Sequence, residues 1–236
     1  MALDHAMNVG NLIADNPAKR VKKPRSTEPK PRRILEREEI RQLLLAVEDS
    51  EWEAFYRLAL FTGARRGELL ALRWPDIDFE KEILTIRRNI VQVKGKPMET
   101  SPKNGQTRQV KLDSGTIALL RRAKSRQSQQ RLALGEHWKG NDDFITTKAD
   151  GSALNPHSAT QHWSRLARRL GITHVRLHDA RHTHATLLLA AGEQLHVVAD
   201  RLGHIDAMVT STVYAHVLRD QVDEAAKVFA DAVGLD

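Results

Sequence analysis

Residues 178–214 read HDARHTHATLLLAAG, then a short connector, then RLGH, then VTSTVYAHV. His178 and Arg181 stand three apart, His204 follows a glycine, and Tyr214 comes ten residues later. On a helix, positions i and i+3 share a face, so His178 and Arg181 can address one small object. Two cationic donors and a phenol suit a phosphate: guanidinium matches phosphate oxygens in a fork, and a tyrosine is a good nucleophile only where positive charge lowers its pKa from about 10. The chemistry these residues suggest is phosphoryl transfer through a covalent tyrosine intermediate.

Two further residues could join them. In TGARRGELLALRW, Gly63 breaks one helix and Arg65 opens the next, with Glu68 one turn on. An arginine at a helix start projects toward an anion that the helix amides also favour, and Glu68 is placed to orient it. Arg and Glu at this spacing also form ordinary surface ion pairs. Lys103, in PKNGQTR, is a flexible point charge beside a tight-turn signal, although hairpin lysines commonly serve only to keep sheet edges soluble.

The elements that must position these side chains follow from periodicity. Residues 2–13 look like the last turns of an apolar helix, and Pro24, Pro29 and Pro31 among Lys and Arg make an extended linker to Arg33. From Ile34, EREEIRQLLLAV and WEAFYRLALF carry apolar residues at helical spacing. From Phe79 the period changes: EKEILTIRRNIVQV is rich in β-branched residues, and METSPKNGQTRQVKL supplies two more strand-like arms about Asn104-Gly105. These predict a small antiparallel sheet with Lys103 at a hairpin tip. A long helix is expected over 115–134 with Ser114 as N-cap, then a short strand at 144–147. Another helix is bracketed by Asn155, Pro156 and Gly171. Helices over 179–191 and 194–202 stop at Gly192 and Gly203, which leaves His204 on a turn. Asp206 caps a helix bearing Tyr214, and a last amphipathic helix carries Val222, Ala225, Val228, Phe229 and Val233, free to dock on its own domain or a neighbouring subunit.

Composition narrows the partners. Between Lys19 and Arg33 lie eight Lys or Arg and one Glu, a surplus equal to the net charge of +7 of the whole chain. Such an arm attracts a polyanion by counterion release, and nucleic acid is the first candidate. Aromatics at 5% are too few for base stacking to be the main grip on single strands. The lack of cysteine excludes disulfides and thiolate catalysis and fits a reducing cytosol, and no apolar run reaches the length of a membrane span. A cytoplasmic protein is the expectation. His182 and His184 flank Thr183 and, with His178, offer three imidazoles. Arg181 among them repels a cation, and no carboxylate set completes a site, so neither metal nor other cofactor is expected. His157, His162, His174, His196 and His216 carry no functional expectation.

Taken in order, TGARRGELLALRW, HDARHTHAT, RLGH and Tyr214 resemble the tyrosine recombinases of the phage integrase family over nearly all of residues 34–218. The resemblance implies an α+β fold of the DNA breaking-rejoining type, a mainly helical catalytic domain with a small antiparallel β-sheet. It implies that Arg65, Lys103, His178, Arg181, His204 and Tyr214 are the active-site residues, with Glu68 supporting the first arginine. Lys94, Lys96 and Lys111 compete for the lysine role, and PKNGQTR favours Lys103. Tyr56, the only other tyrosine, lies in an apolar helix. Residues 1–33 resemble the end of a core-binding domain with its basic linker, and 34–236 the catalytic domain with its C-terminal helix. The implied function is site-specific recombination of double-stranded DNA through a 3′-phosphotyrosine. The implied assembly is a homotetramer on DNA and a monomer without it. Strand swivelling of the type IB topoisomerase kind and a non-catalytic DNA-binding module are the alternatives.

Overall fold

The computed structural model describes residues 2–21, 33–93, 96–102, 105, 107–140 and 143–203. The chain divides into two units, Met1–Arg32 and Arg33–Asp236. The first holds a short helix α1 (Ala2–Asn8), none of whose residues is buried, and a 3-10 turn at Pro17–Arg20 capped by Asn16.

The second unit begins with α2 (Arg37–Leu45), α3 (Glu53–Thr62) and α4 (Arg66–Ala71). Strands β1 (Ile77–Asp78), β2 (Ile83–Ile86), β3 (Asn89–Val93), β4 (Lys96–Thr100) and β5 (Arg108–Lys111) follow. The described part closes with α5 (Ser114–Leu134), α6 (Pro156–Arg169), α7 (Leu177–Ala190) and α8 (Leu195–Leu202). A mainly helical domain with small antiparallel sheets is what the sequence predicts.

The strand pairing corrects one expectation. There are two sheets: β1-β2-β5, in which Ile83 pairs with Lys111 and Ile86 with Arg108, and the β3-β4 ribbon, in which Val93 pairs with Lys96. β4 and β5 therefore do not pair, and Gly105 lies in a crossover between sheets rather than at a hairpin tip. The physical reason is that Leu84, Ile86, Val110 and Leu112 share one buried face, which aligns β5 with β2. Two smaller differences concern caps and strands. Asp113, not Ser114, caps α5, its carboxylate accepting from the Thr116 amide. Residues 144–147 form only isolated bridges, Phe144 to Arg73 and Thr147 to Ala153. Asn155 does cap α6, with Pro156 at its first position.

The core is centred on α3. Phe55, Tyr56, Leu58 and Ala59 are buried with Trp163 of α6, Leu120 of α5 and Leu84 and Ile86 of β2. Tyr56 stacks on Trp163 at 5.1 Å between ring centroids. A second cluster of Ala185, Leu189, Val198 and Leu202 seats α8 on α7. That contact fixes where the chain arrives at Gly203.

Candidate active site

Three helix starts are built alike, with an arginine before the first turn and an acid three residues on: Arg65 and Glu68, Arg73 and Asp76, Arg176 and Asp179. In each, the carboxylate accepts from the arginine's own amide, at 2.8 Å for Glu68, 2.9 Å for Asp76 and 2.8 Å for Asp179. This satisfies an otherwise unpartnered helix N–H and favours negative charge at the helix start.

The first of these starts opens α4. Glu68 is 0% exposed, and its Oε1 also accepts from Arg65 Nη1 at 2.9 Å. Glu68 thus orients Arg65 as the spacing predicts, but it is shared with a residue that spacing along the chain does not single out. Arg108 of β5 donates to both of its oxygens, Nη1 to Oε1 at 3.1 Å and Nη2 to Oε2 at 2.7 Å. Burial pushes the Glu68 carboxyl up; the hydrogen bonds and charge of Arg108, the Arg65 amide and the Arg65 charge outweigh it and hold the pKa below the usual value. A signal for Arg108 was present. In TRQVKL it is in phase with Val110 and Leu112 on a strand, so it faces inward, where a cation needs an acid.

Arg181, 4% exposed on α7, donates from Nη1 to the carbonyl of Gly63 at 2.7 Å. Gly63 ends α3 in a left-handed conformation (φ 62°), two residues before Arg65. A Cβ there would lie 2.7 Å from Leu202 Cδ2 and 3.0 Å from His184 Cδ2. The turn between α3 and α4 therefore needs glycine both for its backbone and for close approach. Arg65 reaches the other side of the same junction, with Nη2 3.4 Å from the Gly203 carbonyl. Residues from the TGARRG, HDARH and RLG segments, remote in sequence, meet around this turn.

His178 lies exposed on the first turn of α7, its ring edge-on to His182 at 4.8 Å between centroids. His184 is buried; Arg201 Nε donates to its Nε2 at 3.1 Å, and its Nδ1 lies 3.0 Å from the Leu60 carbonyl. Because Arg201 can only donate, the proton of the neutral ring sits on Nδ1. Arg201 also donates to the carbonyls of Phe61 and Lys111, tying α8 to α3 and β5. His184 and Arg201 thus hold the framework, and sequence spacing carries no signal for Arg201. Among the described residues, no group of three His, Asp or Glu is placed to hold a metal ion.

Lys103, His204 and Tyr214 lie outside the described residues, as does Lys94. Of the remaining lysine competitors, Lys96 is exposed on β4. Lys111 turns toward the β1-β2 connection, with Nζ 2.7 Å from the Lys81 carbonyl and 3.2 Å from Glu82. Tyr56, 0% exposed, has its hydroxyl 3.0 Å from His162 Nδ1, and burial pushes its phenol well above the usual value. It cannot present a phenolate to a substrate.

The site so described is a cluster of arginines, Arg65, Arg108 and Arg181, gathered by a mainly helical domain around Glu68 and the Gly63 turn. A family model, the phage integrase family, matches residues 33–221. A tyrosine recombinase XerC-like protein of Caldanaerobacter subterraneus subsp. tengcongensis is 32% identical over 206 residues, covering 82% of this chain and 53% of that protein. Among solved structures, XerA recombinase matches with a TM-score of 0.63 at 22% identity, covering 86% of this chain and 66% of that one. XerH site-specific recombinase bound to a palindromic difH substrate in a post-cleavage complex matches at 26% identity with a TM-score of 0.59, covering 87% and 56%. The chain belongs to the phage integrase family, and it spans about half the length of the recombinase relative it matches. No helix among the described residues is long and apolar enough to cross a membrane.

Proposed function

We propose that this chain is the catalytic part of a site-specific recombinase that cuts and rejoins double-stranded DNA through a 3′-phosphotyrosine, with residues 34–236 as the catalytic domain and 1–33 as the end of a core-binding domain and its linker. The observation that carries the reading is the hold of Arg181 on the Gly63 carbonyl, which brings the Arg181 guanidinium from α7 to the turn two residues before Arg65. The XerH site-specific recombinase, by its description bound to a palindromic difH substrate in a post-cleavage complex, supports the reading of a substrate that is cut.

In this mechanism Arg65 and Arg181 fork onto the non-bridging oxygens of one phosphodiester and stabilise the added charge of the pentacoordinate transition state. The Tyr214 oxygen attacks phosphorus, the bond to the 5′ oxygen breaks, and Lys103 gives that oxygen its proton. His178 takes the tyrosine proton or holds a phosphate oxygen, and His204 donates to the phosphate. The phosphotyrosine keeps the bond energy, so a 5′ hydroxyl from a second duplex attacks it and returns Tyr214 without ATP. Exchange between two duplexes calls for a tetramer on DNA; the chain alone is monomeric.

The test is a two-duplex strand-transfer assay with a supercoiled plasmid alongside, using DNA that carries a recognised site. Joint products between duplexes are the expected result. Plasmid relaxation without joint products would replace recombination with strand swivelling, and binding without either would leave a DNA-binding module.

A further inference from the structure

Arg65 and Glu68 together carry no net charge, and a buried carboxylate beside an anion-binding arginine works against the anion. Arg108 changes that balance. Its fork takes both Glu68 oxygens, while its Nε donates to the Arg201 carbonyl at 3.0 Å. A Cβ on Gly203 would lie 3.0 Å from Arg108 Cδ and 3.0 Å from its Nη1, so the last turn of α8 packs directly on this side chain. Arg108 is itself only 9% exposed, so it acts through its neighbours and not on DNA.

Building on the function proposed above, we propose that Arg108 is a positioning residue: it neutralises Glu68, so that Arg65 keeps its positive charge for the phosphate, and it braces the turn that leads to residue 204. One side chain thereby couples the first arginine to the RLGH segment. Removing it leaves Glu68 buried with a single cationic partner, and burial is the largest influence on that carboxyl, raising its pKa. A Glu68 left ionised then offsets the charge of Arg65, and a proton on Glu68 removes that offset.

The experiment compares the full chain with Arg108→Met, Arg108→Lys, Glu68→Gln and the Glu68→Gln/Arg108→Met double variant. Carbon-13 NMR of the carboxyls follows the Glu68 titration, and single-turnover cleavage is measured across pH on saturating nicked duplex, with DNA affinity and unfolding measured alongside. In Arg108→Met the Glu68 titration moves up. Above the Glu68 titration, cleavage falls by roughly ten- to a hundredfold, the scale usual for loss of an orienting outer partner, and part of that loss is recovered as pH falls and Glu68 takes up a proton. Affinity for DNA changes by less than about threefold, since the lost interaction acts in the transition state. Arg108→Lys keeps Glu68 ionised and recovers part of the rate. In the Glu68→Gln background, Arg108→Met costs much less, because no charge remains to be neutralised. An unmoved Glu68 titration, or a folded Arg108→Met chain that cleaves at the parent rate, would overturn the proposal. If the parent chain forms no adduct, the recombinase reading fails, while the Glu68 titration still decides whether Arg108 neutralises it. Should Arg108→Met fail to fold, Arg108→Lys and its Glu68 titration decide the matter: a titration held low with partial activity supports the proposal, and one that moves up with the rate unchanged overturns it.

Discussion

Acid should weaken this domain through one histidine. His184 is 8% exposed, and burial first, then the charges of Arg201 and Arg181, pull its pKa down from 6.5 to about 4 against the opposing Leu60 hydrogen bond. In the unfolded chain the same imidazole takes up a proton near pH 6.5. The folded value is the lower one, so the unfolded state binds the proton first. The contribution of His184 to stability is complete above pH 6.5 and is lost as pH falls toward 4. The slope in that window is about 1.4 kcal/mol per pH unit, which amounts to about 2 kcal/mol between pH 7 and pH 4.5. Urea unfolding followed by far-ultraviolet circular dichroism at both pH values measures it, with His184→Asn as the reference. The Asn amide can still donate to Leu60 but does not titrate. Carboxylates whose pKa values lie low, Glu68 and Asp113 among them, lose stability with acid in both chains and cancel in the comparison. The parent should lose about 2 kcal/mol more than the variant on this account. Equal losses would show that His184 is not held neutral by Arg201 and burial.

Arg181→Lys removes the fork and the Gly63 contact; rapid-quench cleavage should fall by about a hundredfold or more, as for loss of a transition-state donor, while anisotropy shows DNA still bound. Lys103→Ala should slow cleavage severely yet recover on DNA whose 5′ leaving oxygen is replaced by sulfur, which leaves without a proton; without recovery the acid is another residue. Gly63→Ala places a Cβ in a left-handed residue against Leu202, and urea unfolding should show a loss of about 1–3 kcal/mol.

Much of the site's local order was legible in the sequence because it is helical and short-range. The Arg65-Glu68 pair, the stop at Gly63, the caps of α6 and the seating of Gly203 at the end of α8 all follow from spacing and from residues that tolerate few conformations. The sheets were harder. Asn104-Gly105 is a turn signal whatever follows it, and only the shared burial of Leu84, Ile86, Val110 and Leu112 pairs β5 with β2 in place of β4. Arg108 and Arg201 escaped for the same reason, since their partners, Glu68 and the carbonyls of Phe61 and Lys111, are long-range in sequence. The inward phase of Arg108 on its strand was the one available clue.

The central claim is covalent capture of DNA by Tyr214, and trapping it is the most direct measurement. The chain is incubated with a nicked suicide duplex in EDTA and run on a denaturing gel. A protein–DNA adduct that forms with the parent, maps to the peptide containing Tyr214 and is absent from Tyr214→Phe is the predicted result. An adduct that survives Tyr214→Phe, or cleavage that leaves no DNA bound to protein, would contradict it.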